Sequence, residues 1–196
     1  MATSDAHERP GDGKNMNIAF RLLLTFNATS LLVIIFLVQN GCTLDHFFPQ
    51  YVYLEILPNF VSYLGYILMP ILLTGLSILL SSRLGKDPFK KGDVVSIEHA
   101  NNSFLPSYLG YFFVALSIGS WEALVFVYGV LFVFTFLSQA LYFNPLFLLY
   151  GFEFYNIKTK KGAAIFLISR HKYKTPDEID IPKANRINNY TFIERG

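Results

Sequence analysis

Most of this chain has no basic residues. No Lys or Arg occurs between Arg21 and Arg83, or between Lys91 and Lys158, and every long apolar run falls inside these gaps. A charged side chain at the bilayer centre costs roughly 2.5–3.5 kcal/mol on insertion scales, so cations gather at span ends and in cytoplasmic loops. The pattern excludes an ordinary soluble domain and predicts several membrane spans. Cysteine is nearly absent: Cys42 alone excludes an intrachain disulfide and a cysteine metal cluster. Catalytic signals are missing too. His7, His46, His99 and His171 have no ligand-like spacing, and there is no Gly-rich phosphate loop, His-Glu-x-x-His or nucleophile elbow. Neither an enzyme nor a cofactor is expected.

Composition points the same way. Residues are 53% hydrophobic and 15% charged, where an average soluble domain has about 25% charged residues. Mean hydropathy is +0.39. A net charge of +2 is too small to suggest direct nucleic-acid binding by the whole chain.

Spans of about 17–25 apolar residues fit residues 18–38, 60–80, 104–119 and 123–143, after a tail over 1–17. The last two share one apolar region that would be far too long as a single helix. Gly119-Ser120-Trp121-Glu122 divides it, because Gly and Ser favour a turn, Trp favours the interface and Glu needs water. Three basic residues precede the first span, four lie between the second and third, and nine follow the fourth. The other two loops hold none. The expected topology is therefore a multi-pass membrane protein with both termini and the middle loop in the cytoplasm. A cleaved signal peptide fits poorly, since no small-x-small site follows the first span. A lipoprotein site at Gly41-Cys42 fits poorly too, given Gln39 and Asn40 before it.

The spans lack ionisable groups away from their ends, which counts against a pump or coupled transporter. Mild polar residues are present instead: Asn27, Thr25, Thr29 and Ser30 in the first span, Thr74 and Ser77 in the second, Thr135, Ser138 and Gln139 in the fourth. Such groups hydrogen-bond between helices. Thr25-x-x-x-Thr29 and Ala115-x-x-x-Gly119 allow close helix approach, and Pro70 is expected to kink the second span. The outer loop carries Asp45, His46, Phe47, Phe48 and Tyr51, read as an interfacial aromatic belt or an external sensing surface.

In the middle loop, Lys86–Asp93 reads as a surface connection, Val94–Ile97 as a brief strand, and Glu98, His99, Asn101 and Asn102 as a polar lead into the third span. Its cations could contact membrane lipid. Residues 144–196 form a cytoplasmic, β-rich tail. Asn144-Pro145 ends the last helix. Phe152–Thr159 and Ala163–Ser169, joined through Lys160-Lys161-Gly162, read as a β-hairpin, and Asn189–Ile193 as a third strand. A lone hairpin is marginal in water, so this tail is the expected docking surface, through Phe152, Phe154, Tyr155, Lys160, Lys161, Arg170, His171, Lys172 and Lys174. The expected fold class is a mainly α membrane protein: four transmembrane helices with a small C-terminal cytoplasmic β-hairpin region.

This layout, with Asn144-Pro145, Tyr150-Gly-Phe-Glu-Phe-Tyr155, Thr159-Lys-Lys-Gly162, Ile168-Ser-Arg170 and Tyr190-Thr-Phe-Ile193, resembles the KwaA family, membrane subunits of the Kiwa anti-phage defence system. The resemblance implies a four-span inner-membrane homo-oligomer, with a tetramer as the implied form. It also implies a cytosolic partner, KwaB, that binds DNA and blocks phage replication or late transcription. It carries over no catalytic residues. The expected function is a membrane sensor and scaffold that detects infection at the envelope and recruits this effector. The alternative is an oligomeric pore or holin-like protein that depolarises the membrane.

Overall fold

The computed structural model describes residues 12–103, 105–138 and 144–196. Seven helices are present among them: α1 (Asp12–Gln39), α2 (Leu44–Phe47), α3 (Tyr53–Ile56), α4 (Asn59–Leu80), α5 (Leu105–Ser117), α6 (Trp121–Ser138) and α7 (Leu146–Leu149). Six strands accompany them: β1 (Lys86–Phe89), β2 (Val94–His99), β3 (Glu153–Thr159), β4 (Ala164–Ser169), β5 (Ile181–Arg186) and β6 (Thr191–Glu194).

Three helical segments are long and apolar enough to cross a membrane: Ile18–Gln39, Asn59–Arg83 and Trp121–Ser138. The described part of the expected 104–119 span is α5, whose 13 residues reach only about 20 Å at 1.5 Å per residue, short of the ~30 Å hydrocarbon core. Residues 139–143, expected in the last span, lie outside the described residues, as does most of the 1–17 tail. Ser120 ends the α5–α6 turn as an N-cap, its Oγ accepting the Ala123 N–H at 3.2 Å.

Helix α1 is the hub, with α4, α5 and α6 each packing on it. Its far end buries Leu32, Phe36 and Leu37 against Ala115, Ile118 and Leu124 at the α5–α6 turn. Its near end buries Phe20 and Leu24 against the sheet. Arg21 donates to the Phe136 carbonyl at 3.0 Å and lies 4.8 Å from that residue's ring centre, so its charge meets the C-terminal end of α6. Between these levels Asn27, Thr74 and Asn144 form a buried polar knot. The Asn27 amide lies 2.6 Å from Thr74 Oγ1, and Asn144 Nδ2 donates to the same oxygen at 3.0 Å. With its oxygen turned toward these donors, the Asn27 amide accepts the Thr74 N–H at 3.2 Å and donates to the Pro70 carbonyl at 3.1 Å. A side chain from α1 thus enters the hydrogen-bond ladder of α4 just after its proline.

The expected fold class is wrong. The protein is a mixed α/β fold whose strands form one curled six-stranded sheet, in the order β1-β5-β6-β4-β3-β2. Strand β2, the β3–β4 hairpin and β6 are where the sequence places them, but Lys86–Phe89, expected within a surface connection, is strand β1, the two middle-loop strands are the edges of the sheet, and Thr175–Pro182 leads into β5. The sheet is antiparallel except for β4–β6. Curling is forced by connectivity. Strands β1 and β2 occupy opposite edges, five spacings apart, which in a flat sheet is about 24 Å. Only Lys90–Asp93 joins them, and that link spans at most about 18 Å.

Alternation then gives the sheet two apolar faces. Phe154, Phe166, Ile168 and Ile193 pack on Phe20, Leu24, Ile78 and Phe147 of the helices. Tyr155, Ile157, Leu167 and Phe192 face inward with Phe89 of β1 and Val94 of β2, and Ile179 and Ile181 help fill the curl. Because β2 pairs with β3 and β1 with β5, the segments before α5 and after α6 lie at the same end of the bundle. The Phe20 end of α1 and the Ile78 end of α4 lie there too.

Candidate docking surface

The strands leave the helices near Ala100 and Phe152, and the far end of the sheet carries two neighbouring turns. One is Lys90–Asp93, closed by Asp93, whose carboxylate accepts the Lys90 N–H at 2.9 Å, with Gly92 at φ 84°. The other is Lys160–Ala163 after β3, with Gly162 at φ 82°. Positive φ at these two glycines is what lets both turns close tightly. The Lys160 N–H donates to the Asp93 carbonyl at 2.8 Å, tying the turns together. Lys90, Lys91, Lys160 and Lys161 are all exposed at this tip. It stands about 20 Å from the strand bases at 3.3 Å per residue. The sequence places Lys160 and Lys161 together on the hairpin turn. Lys90 and Lys91 join them only through the strand pairing, which brings their turn beside the hairpin.

The other expected docking residues scatter. Phe152, Phe154 and Tyr155 are buried in the two cores and offer no surface to a partner. The run Arg170–Lys174 sends its side chains in several directions. Arg170 turns toward the helices, its guanidinium 4.9 Å from the Phe152 ring centre. His171 Nδ1 lies 3.1 Å from a carboxylate oxygen of Glu194. Lys172 Nζ lies 3.7 Å from Glu153, and Lys174 is exposed.

Glu153 anchors a polar group near the strand bases. His99 Nε2 sits 2.6 Å away and Asn101 Nδ2 donates at 2.7 Å, while Asn101 Oδ1 accepts the Phe154 N–H at 2.8 Å. The hydrogen bond from His99 holds the Glu153 carboxyl below its usual range, helped by Asn101 and by the charge of Lys172, against partial burial. A cleft of about 490 Å³ opens here, between Glu153, Lys172, Tyr155 and Tyr173. No group of three His, Cys, Asp or Glu that could hold a metal occurs among the described residues. Since Glu153 is more acidic folded than unfolded, it adds stability above the ordinary carboxylate range and loses it as pH falls through its folded pKa. Relative to Glu153→Gln, the parent chain should melt higher at neutral pH. The gap should close below about pH 4 in melting curves recorded across pH.

At the opposite end of the bundle, α2 and the link from it to α3 hold the expected sensing residues. Asp45 is half-buried, while His46, Phe47, Phe48 and Tyr51 are exposed. The Leu44 N–H donates to Ser62 Oγ at 3.1 Å and Tyr66 OH to the Cys42 carbonyl at 3.1 Å, pinning this loop to α4. Phe47 and Phe48 border an apolar cleft of about 590 Å³ between α1 and α4.

A family model described as "Anti-phage protein KwaA" matches residues 20–193, which run from the hub helix to the last strand. The chain belongs to the KwaA family. Its role is therefore in anti-phage defence. No curated protein and no solved structure matches the chain. Within the KwaA match fall both the sheet and the apolar helices, so the lysine tip and the aromatic loop are features of one family unit rather than appendages to it.

Proposed function

We propose that this KwaA-family protein is the membrane-embedded sensor and scaffold of its defence system, with the aromatic loop outside and the sheet inside the cell. The observation that carries this reading is the composition of the sheet. The middle loop and the tail supply its edge and central strands, so both must lie on one side of any membrane, and α5–α6 leaves and returns between them. Both segments are rich in basic residues, which favours the cytoplasm for that side. Exposed apolar side chains on α4 and α6, such as Leu72, Leu79, Phe126 and Phe134, suit contact with lipid or with further copies of the chain. The partner is a cytosolic, KwaB-like effector of the same system, held through acidic groups that meet the lysine tip.

Reversing Lys90, Lys91, Lys160 and Lys161 to Glu should cut capture of the co-expressed partner at least about tenfold, roughly 1.4 kcal/mol. Reversing Lys172 and Lys174 should leave capture intact. Undiminished pull-down by the tip variant would reject the tip as the docking surface. A membrane-potential dye tests the pore alternative, because a scaffold expressed alone leaves the potential unchanged.

A further inference from the structure

Where α4 ends against the sheet, a cavity of about 540 Å³ opens beside Ile78 and Ser82. Its volume lies in the range of small-molecule sites. Four cations line it: Lys86 of β1, Lys183 of β5, and Arg170 and Arg195 just beyond β4 and β6. The register explains their convergence. Lys86 lies opposite Asn185, and Asn185 opposite Ile193, so these side chains share the helix-facing side of the sheet. Arg170 follows from the same alternation, since Ile168 packs on that side.

None of the four cations has a carboxylate within ion-pairing distance among the described residues. Glu194 and the last residue, Gly196, also border the cavity. The Glu194 carboxylate, however, is held by Ser169 Oγ at 2.6 Å and Tyr173 OH at 2.9 Å, on the inward face. Four like charges lining one cavity, none of them in a direct ion pair, repel one another, and an anion sitting among them relieves that repulsion.

We propose that this cavity binds a phosphate group, and that its occupant is the glycerophosphate head of an anionic lipid. Phosphate oxygens answer the cations, Arg170 and Arg195 offering forked donors. The site adjoins the last turn of the Asn59–Arg83 segment, the level at which lipid headgroups meet a span end. Docking of the effector plays no part here. Only the lipid source rests on the bundle lying in a membrane, which carbonate extraction of cell membranes tests separately.

The full chain, purified in uncharged detergent, is titrated with dioctanoyl phosphatidylglycerol, dioctanoyl phosphatidylcholine and inorganic phosphate while thermal unfolding is followed. Phosphatidylglycerol should stabilise the protein, and Lys86→Gln and Lys183→Gln should each weaken its apparent Kd about fivefold. Both lysines are exposed, so their ligand-free melting temperatures should be no lower than the parent's. Lys160→Gln with Lys161→Gln removes twice the charge of either single variant, but at the tip, and should leave the Kd unchanged. Equal weakening by both sets of variants, equal stabilisation by phosphatidylcholine, or no stabilisation at all would overturn the proposal. If inorganic phosphate gives the whole effect with the same variant sensitivity, the lipid occupant is overturned and a soluble phosphate takes its place.

Discussion

Phe154→Ala is expected to destabilise the chain by about 3–5 kcal/mol, the range for truncating a buried phenylalanine. At a few degrees per kcal/mol for a chain of this size, the melting temperature should fall by about 10 °C. Phe154 is 0% exposed and stacks on Phe166 at 5.6 Å and 13°. The hole it leaves would not collapse, because its backbone is clamped on both sides. The Phe154 N–H donates to Asn101 Oδ1, and its carbonyl accepts the Ala100 N–H at 2.8 Å. Its ring belongs to the cluster that joins sheet to helices. The variant should therefore lose partner capture only as far as it loses fold. A variant that stays within 1 kcal/mol of the parent yet no longer captures the partner would restore Phe154 as a docking residue.

That outcome bears on how much of this architecture the sequence discloses. The helices are legible because long apolar runs without Lys or Arg suit lipid and little else. The β3–β4 hairpin is legible because aromatic and apolar residues flank a Lys-Lys-Gly connection. Strands β1 and β5 are hidden by their prolines. Pro88 lies on an edge strand at a break in register between Asp87 and Phe89, where no ladder bond is lost. Pro182 precedes the Asn185–Arg186 stretch that pairs with β6, so its missing N–H is not needed there. The β1–β5 and β4–β6 pairings join residues about 100 and 25 positions apart in sequence, and no local pattern encodes partners at such range. The lysine tip follows the same rule. Lysines of the hairpin turn show themselves, but the pair supplied by the middle loop becomes visible only once β2 lies against β3.

The basic residues of the run Arg170–Lys174 are exposed but form no single patch, because the backbone of the run is tied around Glu194. Glu194 is 7% exposed and gathers three donors: Ser169 Oγ at 2.6 Å, Tyr173 OH at 2.9 Å and His171 Nδ1 at 3.1 Å. Tyr155 OH adds a further tie, donating to the His171 carbonyl at 3.3 Å and accepting the Tyr173 N–H at 3.1 Å. Burial, then the bond to Glu194, pushes the Tyr173 phenol up from its ordinary pKa, so it remains a donor at any physiological pH. Replacing one member of such a buried set strands the others, and hydrogen bonds to a charged group are worth about 1.5–3 kcal/mol each. Glu194→Leu should therefore cost about 3 kcal/mol. It should also raise amide hydrogen exchange across His171–Lys174, where Tyr173 would lose its acceptor. Glu194→Gln keeps an acceptor for Tyr173 and Ser169 and should cost less than half as much. Unchanged exchange in the Leu variant would mean that packing of Tyr173 on Tyr155, 5.8 Å between ring centres, holds the segment without the carboxylate.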